Sequence, residues 1–169
     1  MIKFEKNIND FWSQDLEDFK FAVLSPLTQA QRDYWSHPNY LNELNSLEQS
    51  FDDDLPEYWP RFMEELGVKE GTTSWTNIAP GNVIPMHTDH FYKLRTKYGV
   101  EKDECIRYLV FLQDWQLGHM VEFEDKVLNR WKKGDVWSFG INDPHCAANA
   151  TQTNFITCQV NTFNRKESK

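Results

Sequence analysis

From Leu27 to Gly67, apolar residues recur three or four positions apart in "LTQAQRDYW", "NYLNELNSLEQSF" and "LPEYWPRFMEELG", with breaks at Pro38, Pro56 and Gly67. That period predicts helices. The acidic run Asp52 to Asp54 stands just ahead of the last segment, where negative charge favours a helix N-terminus, so it is read as a helix entry and not as a cation site. After Gly71 the texture changes to short runs, "TSWTNIA", "CIRYLVFLQDW", "HMVEFEDKVL", "DVWSFGI", "HCAANA" and "NFITCQVNTF", separated by turns such as "APGN" and "KKGD". Strands following one another in this way predict an antiparallel sandwich or barrel rather than alternating βαβ units. The expected layout is one domain over residues 1–169, mostly β with N-terminal helices (α+β). Residues 1–70 form a helical layer, 71–163 the β core and 164–169 a solvated tail. A chain of 169 residues suffices for one buried core.

Composition narrows the function. Aromatic residues make up 15% of the chain, seven of them tryptophans, which is ample bulk for a core or a lined pocket. The net charge of -8 repels phosphate backbones, and no stretch clusters Lys and Arg, so no nucleic-acid partner is expected. Cys105, Cys146 and Cys158 follow no CxxC spacing, which suggests buried thiols in a reducing compartment. The N-terminal "MIKFEKNIND" carries charges where a signal core would be apolar, and no apolar run reaches membrane-spanning length. The expectation is a cytoplasmic protein without a membrane partner, acting on a small molecule or peptide; its oligomeric state stays open.

The stretch carrying chemistry is "IPMHTDHFYKL", residues 84–94. If it is extended, His87 and Asp89 share one face of a strand while Thr88 takes the other. Imidazole plus carboxylate suits a borderline divalent metal such as iron, and a third ligand is then needed. His145, in "INDPHCAANA", stands at the start of a strand that can fold back on the pair. H-x-D alone is also a common turn pattern in which both side chains only hydrogen-bond the loop. Spacing leaves the two readings open.

The order of segments adds more. "PGNVIPMHTD", then "RYLVFLQDW", "RWKKGDVWSF" and "DPH" together resemble, over residues 73–163, the double-stranded β-helix (jelly-roll, cupin-like) core of the iron(II)- and 2-oxoglutarate-dependent oxygenase superfamily. Its small prolyl or aspartyl/asparaginyl hydroxylases are the nearest in pattern. The resemblance implies that His87, Asp89 and His145 form the catalytic centre as iron ligands, and that Gly134 and Asp135 occupy a hairpin turn. It implies iron(II), 2-oxoglutarate and O2 as cofactor and cosubstrates. The implied activity is a dioxygenase that hydroxylates an unidentified substrate while 2-oxoglutarate is oxidatively decarboxylated to succinate and CO2.

The pattern departs from that superfamily in one respect. Many members place an Arg or Lys on the strand after the distal histidine to hold the second carboxylate of 2-oxoglutarate, but "NFITCQVNTF" has none. Arg107, opening an apolar strand, is one substitute; its alternative role is a surface pair with an acidic neighbour such as Glu104. Lys93 and Arg95 lie in "FYKLRTKYG", which reads as a solvated loop or lid, and Arg165 as a tail charge. Thr157, Gln159 and Asn161 form a polar stripe, and Arg107, Thr157 and Gln159 are the 2-oxoglutarate-binding candidates. His90 has the wrong parity to join the pair, His119 is expected to cap a hairpin, and His37 precedes Pro38 at a helix start. Trp75, Trp115, Trp131 and Trp137 are expected in core or rim, Asp114 and Asp143 in turns. Two other functions fit the residues: a cupin-like metalloprotein that does not use 2-oxoglutarate, and a non-enzymatic jelly-roll binding module. Specificity would come from the N-terminal helices and from residues 90–104.

Overall fold

Ten strands, all paired antiparallel, form two sheets in the structure, a computed structural model that describes residues 1–22 and 48–165. They are β1 (Lys3–Asn7), β2 (Glu48–Phe51), β3 (Thr72–Ile78), β4 (Val83–His87), β5 (Cys105–Phe111), β6 (His119–Phe123), β7 (Lys126–Leu128), β8 (Asp135–Gly140), β9 (His145–Asn149) and β10 (Phe155–Phe163). The larger sheet runs β1-β8-β5-β10-β3-β2 and the smaller β4-β9-β6-β7. Three short helices accompany them among the described residues: α1 (Ser13–Leu16), α2 (Pro60–Glu65) and α3 (Tyr92–Tyr98).

Strand alternation divides the large sheet into two packed faces. Outward, Trp75, Val110, Val136, Ile156, Cys158 and Val160 meet Trp12, Leu16 and Phe62 from the N-terminal layer. Trp12 fills this core without stranding its indole N–H, because Nε1 donates to the Leu112 carbonyl at 2.9 Å. Inward, Ile78, Leu109, Phe111, Phe139 and Phe155 pack against Val121, Phe123 and Leu128 of the small sheet, with Ile84 and Ala147 alongside. Phe111 stacks on Trp131 at 4.0 Å between ring centroids.

Every strand expected after Gly71 is present, and the turn before β8 shows why its glycine is needed. Gly134 has φ +87, and a Cβ there would lie 2.2 Å from the Ile8 carbonyl oxygen. A side chain is therefore excluded by conformation and by space alike.

The N-terminal layer differs more. Residues 1–70 contribute two edge strands, β1 beside β8 and β2 beside β3, where only helices were expected. Residues 48–51, read as the end of a helix, pair instead with β3, since backbone bonds to a waiting sheet edge override a helical pattern. Asp52–Asp54 form a 3-10 turn of their own, and Asp52 Oδ1 accepts the Thr73 amide at 2.6 Å. The helix expected in "LTQAQRDYW", His37 and most of "NYLNELNSLEQSF" lie outside the described residues. "FYKLRTKYG" is a helix, α3, not a loop, because Leu94 turns into a small core with Phe91, Val100, Cys105 and Ile141. Among the described residues no helix is long and apolar enough to cross a membrane.

Candidate metal centre

The register of β4 on β9 sets His87 directly opposite His145, and their rings lie 4.3 Å apart between centroids. Strict alternation would forbid this. Ile84 pairs with Ala147, and both face the space between the sheets, so the third residue on should point outward. A bulge between Ile84 and His87 absorbs the extra residue. Met86 is left outside at 46% exposed while His87 turns inward. Pro85, which has no amide to give a ladder, sits within the bulge.

Asp89 follows β4 in the connection to α3 and is 7% exposed. Its Oδ1 lies 3.7 Å from His87 Nε2 and its Oδ2 lies 3.7 Å from His145 Nε2. All three ligand atoms fall within 4.8 Å of one another. The chain is held in this course by Phe91, whose backbone is left-handed at φ +51, an unusual conformation for a bulky residue.

The surroundings prepare both imidazoles as ligands. His87 Nδ1 lies 2.8 Å from the Pro85 carbonyl oxygen and His145 Nδ1 lies 3.0 Å from that of Asp143. A carbonyl only accepts, so each Nδ1 carries a hydrogen, and each ring is turned so that Nε2 faces Asp89. Burial is the chief reason the His145 pKa is lowered to about 4, against the opposing pull of Asp89. For Asp89, burial pushes the pKa up but is outweighed by Arg107 and the two histidines, leaving its carboxyl well below the usual range. Asp89 Oδ2, buried, has no hydrogen-bond donor among the described residues. Two imidazoles with Nε2 turned to the same point and an ionised carboxylate between them are what a borderline divalent cation requires; His, His and Asp on one side of it would leave positions for other ligands.

Arg107 resolves the choice its sequence position left. It turns inward, and its Nη1 lies 2.9 Å from Asp89 Oδ2, while Glu104 accepts the Glu101 amide instead. The first contact is an ion pair off the hydrogen-bond axis; the aligned bond is from Arg107 Nε to Asn161 Oδ1, at 2.8 Å. The guanidinium lies between the rings of Phe91 and Phe139, 5.5 and 6.0 Å from their centroids. Burial draws its pKa down and Asp89 opposes that, yet a guanidinium stays charged. Lys93 lies over the Phe51 ring and Arg165 over Phe163.

Thr157 and Gln159 stand on the inner face of β10 as the alternation predicts, earlier in the strand than Asn161, which pairs with Arg107. Sequence reading missed their partners. Thr157 pairs with Thr76 and Gln159 with Ser74, and Gln49 of β2 donates to both hydroxyls, at 3.2 and 3.1 Å. Thr72, Ser74 and Thr76 share one face of β3, but Thr73 and Asn77 on the other face are polar as well, so no period in the sequence marks this wall. His119 does not cap a hairpin; it opens β6 buried, with its ring stacked 4.6 Å from Phe155. Asp114 and Asp143 accept the Lys133 and Gly140 amides, in keeping with turns. Two surface clefts, one containing Phe19 and Pro56 and one containing Leu112 and Lys133, share no residue with the triad.

Comparison of whole folds agrees with this architecture. A prolyl-4-hydroxylase from Pseudomonas putida superposes over 90% of this chain and 96% of its own, with TM-score 0.56 and 13% identity. The fold is a cupin-type double-stranded β-helix. The cupin domain of Schizosaccharomyces pombe Cnp3 covers 70% of this chain and 65% of its own, at TM-score 0.44 and 12% identity. The plu4264 protein of Photorhabdus luminescens covers 68% and 73%, at TM-score 0.43 and 14% identity. The chain matches no protein-family profile, and no curated protein matches it in sequence. At these identities the likeness is one of fold, and function has to be argued from the site.

Proposed function

We propose that this protein is an iron(II)- and 2-oxoglutarate-dependent oxygenase that hydroxylates a small-molecule or peptide substrate. The observation carrying the reading is the convergence of His87, Asp89 and His145 beside a buried arginine. When bound, iron would supply the redox-active Lewis acid on which 2-oxoglutarate and oxygen react.

The chain's own residues supply the rest. His87 Nε2, a carboxylate oxygen of Asp89 and His145 Nε2 hold the metal, their orientation fixed by the Pro85 and Asp143 carbonyls. Arg107, steadied by Asn161, offers its remaining N–H groups to a carboxylate of 2-oxoglutarate, as a planar fork suits a carboxylate. Thr157 and Gln159, with Ser74, Thr76 and Gln49, form an uncharged hydrogen-bonding wall along which the cosubstrate is oriented. Phe91, Phe123 and Phe139 pack around Arg107 and His145; they keep water from the reacting atoms.

The cupin-like alternative draws on β10, which carries no Lys or Arg from Phe155 to Phe163. Anaerobic titration with iron(II) and then 2-oxoglutarate separates the two. A visible metal-to-ligand charge-transfer band in the wild type, lost in His87→Ala, is the expected result. Iron binding without the band would favour a metalloprotein that does not use 2-oxoglutarate, and no iron binding would sink both.

A further inference from the structure

We propose that Arg107 makes the binding of metal and of a dianionic ligand mutually dependent, so that the site takes cation and dianion as one neutral set. This deepens the reading above and rests on its metal triad. Asp89 Oδ2 is the oxygen nearest His145 Nε2 and also the oxygen paired with Arg107, at 3.7 and 2.9 Å. A cation held by the triad must therefore share that carboxylate with a guanidinium.

The charges decide which ligand relieves the conflict. Asp89 and Arg107 cancel each other, and a histidine that gives Nε2 to a metal while its Nδ1 donates to a carbonyl is neutral. A divalent cation then leaves two uncompensated positive charges among Phe91, Phe123 and Phe139. Burying uncompensated charge is costly. A monoanion cancels one of the two charges; a dianion cancels both. The inner wall of Ser74, Thr76, Thr157 and Gln159 can donate hydrogen bonds to such a ligand but adds no charge.

Geometry provides the means. Arg107 Nε is held by Asn161, so when Asp89 is drawn to a metal the Nη groups can turn from it about a fixed point and meet an incoming carboxylate. Linkage is reciprocal: if the dianion strengthens metal binding, the metal strengthens dianion binding by the same factor.

The test compares manganese(II) affinity, read from the free-ion electron paramagnetic resonance signal, alone and with saturating 2-oxoglutarate or pyruvate. Both acids chelate through the same keto-acid head, and 2-oxoglutarate carries one further carboxylate on one further methylene. In the wild type, 2-oxoglutarate should tighten manganese binding by about tenfold or more, and pyruvate by several-fold less. In Arg107→Gln, manganese alone should bind more tightly than in wild type, and the two acids should act alike. Asn161→Ala keeps every charge but removes the brace, so the gap between the acids should narrow while 2-oxoglutarate still acts more strongly than pyruvate. Equal effects of the two acids on wild type, or an unchanged gap in Arg107→Gln, would overturn the proposal and leave the triad standing. Absence of manganese binding to wild type would remove the triad reading itself, and the proposal with it.

Discussion

The outer and inner faces of β10 come from alternate residues of one nine-residue strand, and they are built by different rules. Outward, Ile156, Cys158 and Val160 are buried against Trp12, Phe62 and Trp75, with hardly a polar atom among them. Inward, Phe155 and Phe163 close the two ends, and between them Thr157, Gln159 and Asn161 face a wall of hydroxyls, amides and the Arg107–Asp89 pair. The difference teaches where stability and chemistry are kept. One face gains from removing apolar surface from water. The other bears buried polar groups whose cost is tolerated because they are positioned to meet a ligand.

Substitutions should respect that division. Trp75→Ala, cut from the centre of the outer core, should lower unfolding stability by about 3 to 5 kcal/mol, and leave metal affinity unchanged where the protein is still folded; denaturant melts and metal titration together check this. A loss of metal binding at full foldedness would break the division. Asp89→Asn on the inner face should cost about 3 kcal/mol, because it strands the Arg107 charge in a buried setting. Arg107→Gln added to it should recover most of that stability while metal binding stays lost, a pattern that chemical denaturation of the single and double variants would show.

A matched exchange across the sheet sharpens the comparison. Val110→Thr, on the neighbouring β5 and the same outer face, opposite Cys158 and Val136, places an unpartnered hydroxyl in the outer core and should cost about 1 to 3 kcal/mol, whereas Thr157→Val should change stability by about 1 kcal/mol or less. Two equal losses would mean that the faces are not distinct. The smallest effect lies outside both. Burial pushes Asp10 up, but hydrogen bonds from Lys133, Ser13 and the Trp12 and Ser13 amides outweigh it and lower its pKa to about 2. A carboxylate depressed in the folded protein contributes stability above its unfolded pKa and loses it on acidification. That contribution should be intact at neutral pH and fade between about pH 4 and pH 2. Acid titration of Lys133→Met should show a weakened version of the same slope.

Much of this was legible in the sequence, for reasons specific to each element. The strands after Gly71 announce themselves as short runs of apolar and β-branched residues closed by turns, and buried positions alternate clearly in β6. His87, Asp89 and His145 were named from their residue types and order, and the structure brings them together. β1 was not legible: nearly all of it is exposed, so "KFEKN" has no period to read. β2 was hidden by an accidental helical spacing that a neighbouring sheet edge overrode. The inward turn of Arg107 was undecidable from sequence, since an arginine opening a strand serves either face until a partner such as Asp89 is placed beside it. The hydroxyls of Ser74 and Thr76 passed as ordinary strand residues because Ser and Thr alternation also marks a half-exposed surface.

The parity by which His87 faces inward was reached by another route than simple alternation, and that has a consequence for how the segment can change. β4 has the equivalent of a reading frame, and the bulge at Pro85 and Met86 is a frameshift already built into it. Flattening the bulge with every residue kept would restore a flawless pleat and swing His87 to the outside, leaving a better strand and a protein with no triad; removing one residue as well would bring His87 back inward. The spare residue and the bulge therefore compensate one another, and the spare residue is harmless to the triad only while the bulge takes it up.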